Sequence, residues 1–389
     1  MTSKWLKRLA VLLALCMTIG LAGCNNEVED SSSESSDTTS EVEETPRRVG
    51  YIFHDSADKN GFSGQMSFQR VKASNRSSMD TCYIDNVSIT DFEKAVKALV
   101  LDGGCTEIVS GSPVFANVLD SVSSKYMNIN FINFGSLSSP ANTSAYTEAP
   151  YEGAYVAGMA AAYNSDAQKI GVVADADMLC STAVINAAAR GMQLVFGSAT
   201  LYCATATRDS EIELAIDALL NNGCDVIICY TESPRSIEYC EQKGVKYIGS
   251  LDYSGEEENY PNMLMYFCSR RDSYFLAQFK MMKLDSWVPE NYTGNMGNGV
   301  IVVSEALSAA KSDTQRAIDA LVPKITSGAA LVFGGEIKDV NNSVRYMQSE
   351  SMSESQIMSM DWYVLGVEDL GSFRQVQTEL PPNSFEIKS

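Results

Sequence analysis

The chain holds one histidine, His54, and ten cysteines, and together they limit its chemistry severely. A serine-hydrolase triad could draw only on His54, and no Gly-x-Ser-x-Gly elbow accompanies it. Zinc ligation of the usual Cys and His spacing is missing, as is any Cys-x-x-Cys pair. No Gly-x4-Gly-Lys-Ser/Thr loop is present to cradle phosphates. Asp55-Ser56-Ala57-Asp58-Lys59-Asn60-Gly61 has the look of a calcium loop, but it lacks the alternating ligands and the closing glutamate. The glycines from Gly294 to Gly299 lie in a Pro- and Asn-rich connection, so they read as a loop. What remains are polar and aromatic side chains in loops that follow short apolar runs. That pattern predicts a binder without metal or cofactor, and not an enzyme.

Those loops need strands and helices to hold them. Arg48 to Phe53 is an apolar run that ends in the polar loop from His54 to Gly64. After a helical stretch come Cys82-Tyr83-Ile84, a helix from Asp91 to Leu101 stopped by Gly103-Gly104, then strands at Glu107 to Val109 and Asn130 to Phe134. A second series opens with the small-residue helix Tyr151 to Tyr163. Strands at 169–174, 199–204, 225–230 and 245–249 then alternate with helices at 183–196, 210–221 and 234–243. Apolar runs alternating with helices predict parallel βαβ units. The fold class expected is therefore α/β, as two doubly wound parallel-sheet lobes joined by a hinge. Ligands of open parallel sheets sit beyond the carboxyl ends of the strands. The loops after Phe53, Val109, Ala174, Tyr230 and Leu251 should therefore line an interlobe cleft.

The N-terminus carries its own signal. Lys4, Lys7 and Arg8 precede an apolar run from Leu9 to Leu21, followed by Ala22, Gly23 and Cys24. About 13 apolar residues fall short of the ~20 that a bilayer span needs, so the segment reads as an export signal. Leu21-Ala22-Gly23-Cys24 resembles the lipobox of bacterial lipoproteins, which implies cleavage before Cys24 and a lipid on its sulfur. From Asn25 to Thr45 the chain is nearly all Ser, Thr, Asp and Glu, too polar to bury a core. It is expected to be a solvated tether. The formal net charge of −20 argues against nucleic acid, which needs clustered Lys and Arg. The eight cysteines of the body mostly fall inside element patterns and read as buried thiols.

Several segments together carry a family likeness. Val49-Gly50-Tyr51-Ile52-Phe53 with Asp58-Lys59-Asn60-Gly61-Phe62, then Tyr151 to Gly158, Gly223 to Ile227 and Thr231-Glu232-Ser233-Pro234 come in the family's order. Gly334 to Asp339 and Met360 to Val367 continue it towards the C-terminus. The body so resembles the basic membrane protein family, the nucleoside-binding lipoproteins of the type I periplasmic-binding-protein fold. The resemblance implies an extracytoplasmic, lipid-anchored monomer that captures a purine nucleoside, or a similar small polar ligand, for an ABC permease. It implies that Phe62 stacks on the base and that Asp58 and Asn60 hydrogen-bond ligand edges. Ser110 and Ser112 would offer hydroxyls, Glu232 would face base or sugar, and Asp252 would accept from ribose hydroxyls. Where the family carries a second aromatic, shortly before the glycine matched by Gly191, this chain has Ala188. A sugar or other non-nucleoside ligand, or a surface sensor or adhesin not coupled to transport, is the alternative. The expected division is signal 1–23, tether 24–46, first lobe 47–145 with 262–297, and second lobe 146–261 with 298–389.

Overall fold

The computed structural model describes residues 47–58, 61–138, 140–197, 199–374 and 385–389. The expected signal, the tether and Cys24 lie outside the described residues, as does Asn60. The folded unit, Pro46 to Ser389, is built on two sheets.

The first sheet holds β1 (Arg48–Ile52), β2 (Asp80–Ile84), β3 (Glu107–Ser110), β4 (Asn130–Phe134), β5 (Thr143–Glu148) and β11 (Asn291–Gly294). Its order is β11-β5-β4-β3-β1-β2, parallel throughout. The second holds β6 (Lys169–Ala174), β7 (Thr200–Thr205), β8 (Val226–Tyr230), β9 (Lys246–Gly249), β10 (Met263–Ser269), β12 (Ile301–Val303) and β15 (Val367–Ser372). Its order is β12-β10-β9-β8-β6-β7-β15, with only β12 antiparallel to its neighbour. The first five strands of each half thus follow the same 2-1-3-4-5 order. That order puts a switch point between β1 and β3 in one sheet and between β6 and β8 in the other.

Helices α1 (Phe62–Ser77), α2 (Phe92–Leu101) and α3 (Ala116–Ser123) belong to the first half. Helices α4 (Pro150–Asn164), α5 (Ser181–Gln193), α6 (Asp209–Asn221) and α7 (Arg235–Lys243) belong to the second. Further on come α8 (Asp272–Lys283), α9 (Asp313–Thr326), the small hairpin β13 (Ile337–Lys338) with β14 (Val344–Tyr346), and α10 (Glu354–Met358).

The chain passes between the sheets after β5, after β10, and again between β11 and β12. This corrects the expected division in two places. The run 262–297 is expected in the first lobe, but its strand 263–269 pairs with β9 in the second sheet. The run 298–389 is expected in the second, yet Lys388 bridges antiparallel to Tyr83 of β2. In both cases the sheet joined depends on a distant partner.

Helix α4 has no polar face: all but two of its fifteen residues are buried. It is wedged between the second sheet and α5, and the seam with α5 is unusually tight. A Cβ on Gly158 would lie 1.9 Å from the Ala188 carbonyl oxygen, and one on Gly191 would lie 1.9 Å from that of Tyr155. Only glycine allows the two backbones to approach this closely. Ala188, at the place where the resemblance puts a second aromatic, is fully buried in this seam. All eight cysteines of the body are thiols, seven of them buried, and Cys180 is half-buried. The Cys82 and Cys105 sulfurs meet at 3.3 Å beside Gly50.

The seam makes a direct prediction. Gly158→Ala should destabilise the protein by roughly 2–3 kcal/mol or more, because backbone rather than a flexible side chain obstructs the methyl. Gly197→Ala is the control, with nothing within 4 Å of the added carbon. Urea denaturation of the two variants checks it, and equal midpoints would contradict the packing described.

Candidate functional site

The site grows from the loops at the two switch points. After β1 the chain turns through His54 to Asp58 and reaches Gly61, the residue before α1. After β8 it runs through Thr231 to Pro234 into α7. These loops touch directly. The Phe62 N–H donates to the Glu232 carbonyl oxygen at 3.0 Å, and the Ser63 hydroxyl to Glu232 Oε1 at 3.2 Å. Among the described residues helix α1 has no side-chain cap, and the opposite half supplies part of its capping. Gly61 is required at this contact, since a Cβ there would sit 2.7 Å from the Glu232 carbonyl oxygen. A turn further on, the Gln65 side-chain amide exchanges two hydrogen bonds with the Asp252 backbone, at 3.0 and 2.8 Å. The two halves are closed on one another here.

Behind Phe62 lies an enclosed cavity of about 20 Å³, lined by Phe62, Phe134, Glu148, Leu179, Tyr230 and Arg271 among others. That is room for a water or two. The protein's own side chains fill the rest. The Phe62 ring stacks on Phe134 with centroids 5.9 Å apart, and the Arg271 guanidinium lies 4.6 Å from the Phe62 centroid. Arg271 is pinned in turn by Glu148: Nη2 donates to Oε2 at 2.8 Å, and Nε lies 2.7 Å from Oε1. Tyr146 and Ser269 hydroxyls also donate to this carboxylate, at 2.6 and 2.7 Å. Arg271 and Glu148 are 4% and 2% exposed, so the pair is removed from water.

In front of Phe62 the cleft opens into a groove of about 890 Å³. His54, Asp55, Asp58, Arg208, Glu232 and Arg235 are on its walls, and Phe62 is at its inner end. This is the size of a small-molecule site. Its electrostatics are acidic. Arg235 is already paired with Glu213 at 2.6 Å. Burial, with Asp55 and Asp175 close by, pushes the Glu232 carboxyl well above the usual range, and it shares a hydrogen bond with Asp55. Burial likewise raises Asp175 to about 6, against the hydrogen bonds that Asp177 N–H and Thr207 Oγ1 donate to its Oδ1 at 2.9 and 3.0 Å. Asp175 is 1% exposed and its Oδ2 has no hydrogen-bond partner among the described residues.

Of the residues expected at the site, Asp58, Phe62 and Glu232 line the groove. Ser110 and Ser112 are buried and line neither cavity. Ser110 Oγ instead accepts the Phe134 N–H at 3.0 Å, and so helps place that aromatic ring. Asp252 also lines neither cavity, and its carboxylate caps its own turn by accepting the Ser254 N–H at 3.1 Å. Sequence reasoning missed Asp55, Phe134, Glu148, Asp175 and Arg271. Asp55 and Asp175 had a signal, since each is an acid at the end of an apolar strand. The other three act through contacts between segments far apart in sequence, from 72 positions for Phe62 and Phe134 to 209 for Phe62 and Arg271.

A two-half parallel α/β body with an interlobe cleft at paired switch points defines a binding protein of the type I periplasmic class. The particular family follows from comparison: residues 47–328 match the model of ABC transporter substrate-binding proteins of the PnrA-like type, and the chain belongs to that family. Its work is capture of a small molecule for an ABC permease, outside the cytoplasm, and not catalysis. Among the described residues, no helix is long and apolar enough to cross a membrane. The match ends at 328, so the later segments Gly334 to Asp339 and Met360 to Val367 lie outside it. A purine-binding protein of Brucella abortus (strain 2308) is 23% identical over 299 residues, covering 75% of this chain and 83% of its own. A solute-binding protein of an ABC transporter from Aeropyrum pernix K1 superposes with a TM-score of 0.64 at 16% identity, over 76% of this chain and 93% of its own. One from Conexibacter woesei does so with 0.60 at 15% identity, over 73% and 98%. These two structures show the shared fold.

The buried acid gives a pH signature. The native state holds the Asp175 proton up to about pH 6, whereas an unfolded aspartate releases it near 3.9. Its contribution to stability is therefore fully present below about pH 4 and is lost as pH rises towards 6. Asp175→Asn keeps an oxygen for Asp177 and Thr207 and removes the charge. Ligand-free, it should be more stable than the parent by about 1–3 kcal/mol at pH 7.5, with the gap closing by pH 4. Urea melts of both proteins across that range test this, and a gap that did not change with pH would refute the assignment.

Proposed function

We propose that the protein is the ligand-capturing lipoprotein subunit of an ABC importer for a purine nucleoside or a similar small polar molecule. The observation that carries this reading is the groove itself. It is large enough for a nucleoside, it ends on the aromatic ring of Phe62, and Asp55 and Glu232 line it where the two halves meet, with Asp175 buried close to Glu232. A buried carboxyl such as that of Glu232 gains most from a ligand that brings N–H or O–H donors. A purine nucleoside supplies such donors on its base and ribose edges and a planar face besides. The relationship to a purine-binding protein points the same way. Differential affinity for the closed form would then drive the halves together around the ligand.

A thermal-shift screen of nucleosides, free bases and sugars tests the ligand class. A nucleoside at ~100 times its Kd should add about 2.7 kcal/mol of stability, and Phe62→Ala should abolish most of that gain. A response to sugars alone would overturn the nucleoside reading. The anchor has its own test. Cys24→Ala should leave the detergent phase of a phase-separation assay or accumulate as an uncleaved precursor. A variant that stayed processed and detergent-soluble like the parent would refute lipidation at Cys24.

A further inference from the structure

Residues 385–389 lie beyond the part matched by the family, yet they return to the loop that borders the groove. Lys388 pairs antiparallel with Tyr83: the Tyr83 N–H donates to the Lys388 carbonyl at 2.7 Å, and the Lys388 N–H to that of Tyr83 at 2.9 Å. This adds a short segment to the free edge of β2. Phe385 and Ile387 pack against the small core beneath the first sheet.

The side chain of Lys388 points at the ligand loop. Its ammonium donates to both oxygens of Asp85, at 3.1 and 3.2 Å, and lies 3.7 Å from Asp58 Oδ2. It also lies 5.8 Å from the centre of the Tyr83 ring. Asp85 Oδ2 accepts the Ala57 N–H at 3.2 Å, and the Tyr83 hydroxyl donates to Asp58 Oδ1 at 3.1 Å. Lys388, Asp85 and Tyr83 thus hold residues 57 and 58. Hydrogen bonding to Asp85 and the charges of Asp85 and Asp58 raise the Lys388 pKa, so the ammonium is fully charged at neutral pH.

We propose that the C-terminal residues position the ligand loop, with Lys388 fixing Ala57 and Asp58 through Asp85 and by its own charge. This rests on the reading of the groove as the ligand site only for its consequence for affinity. The placement of the loop stands independently. Without Lys388 the loop loses one of its ties.

Hydrogen–deuterium exchange of the ligand-free full-length chain tests it, comparing the parent with Lys388→Ala, Lys388→Arg and a chain ended at Ser384. Exchange in residues 54–58 should rise several-fold in Lys388→Ala and further in the shortened chain, and Lys388→Arg should restore the parent rate. Strands β1 and β3 should be unaffected in Lys388→Ala. For guanosine or adenosine, Lys388→Ala should weaken binding by about 3- to 10-fold. Unchanged exchange at 54–58 in Lys388→Ala would overturn the proposal. So would a rise spread evenly over the first sheet, which would mean a merely structural role. Because exchange is read without ligand, failure of the nucleosides to bind would count against the ligand reading alone.

Discussion

The closed arrangement depends on one buried ion pair. Glu148 ends β5, the last strand before the chain first leaves the first sheet, and Arg271 follows β10, where it leaves the second. Their contact ties two of the connecting segments to each other at the base of the cleft. Removing one partner of such a pair strands the other charge in a dry site, at a cost of about 3–5 kcal/mol. Here the carboxylate is further satisfied by Tyr146 and Ser269. The guanidinium spreads its charge over the faces of Phe62 and Phe134. The inner wall of the cleft is thus made by the same residues that hold the connecting segments together. Moving the halves apart must either carry this cluster with one of them or break it.

In front of that cluster the two halves meet through groups that each leaves incomplete. Helix α1 brings an uncapped N-terminus and Glu232 brings a backbone oxygen and a carboxyl. Gln65 meets the backbone of Asp252 in the same reciprocal way. These contacts are short, polar and few, which suits a surface that must separate and reform. The acids beside them weigh against closure at neutral pH, because burial disfavours their charge.

Much of the fold is legible in the sequence because it rests on local signals. Apolar runs bounded by polar loops place β1, β3, β4, β6, β8 and β9, and helix period with glycine stops places α2. The loops after Phe53, Ala174 and Tyr230 could be assigned to the cleft because strand direction alone fixes which end they occupy. What escapes is everything decided by a distant partner. Met263 to Ser269 is a continuous apolar run that would suit either sheet. Asp252 looks like a ligand residue at a strand end until its carboxylate is seen capping Ser254. Ala188 seems to stand in an aromatic position until the α4–α5 seam shows it fully buried, with its backbone oxygen against Gly158. Phe62 was legible as an aromatic in a loop, whereas Arg271, which covers it, was not, because 209 positions separate them.

The repeated strand order has a consequence for charge. Asp55 follows β1 and Asp175 follows β6, the corresponding strands of the two halves, so the acids are counterparts under an approximate two-fold relation. Each half carries its own copy, and Glu232 stands between them in reach of both. When the halves part, the copies separate into water and their repulsion fades. Closed, Asp175 and Glu232 are held out of water while Asp55, still exposed, lies beside Glu232. The fold's internal symmetry thus duplicates acidity at the joint between the halves, where a neutralising group would find its natural place.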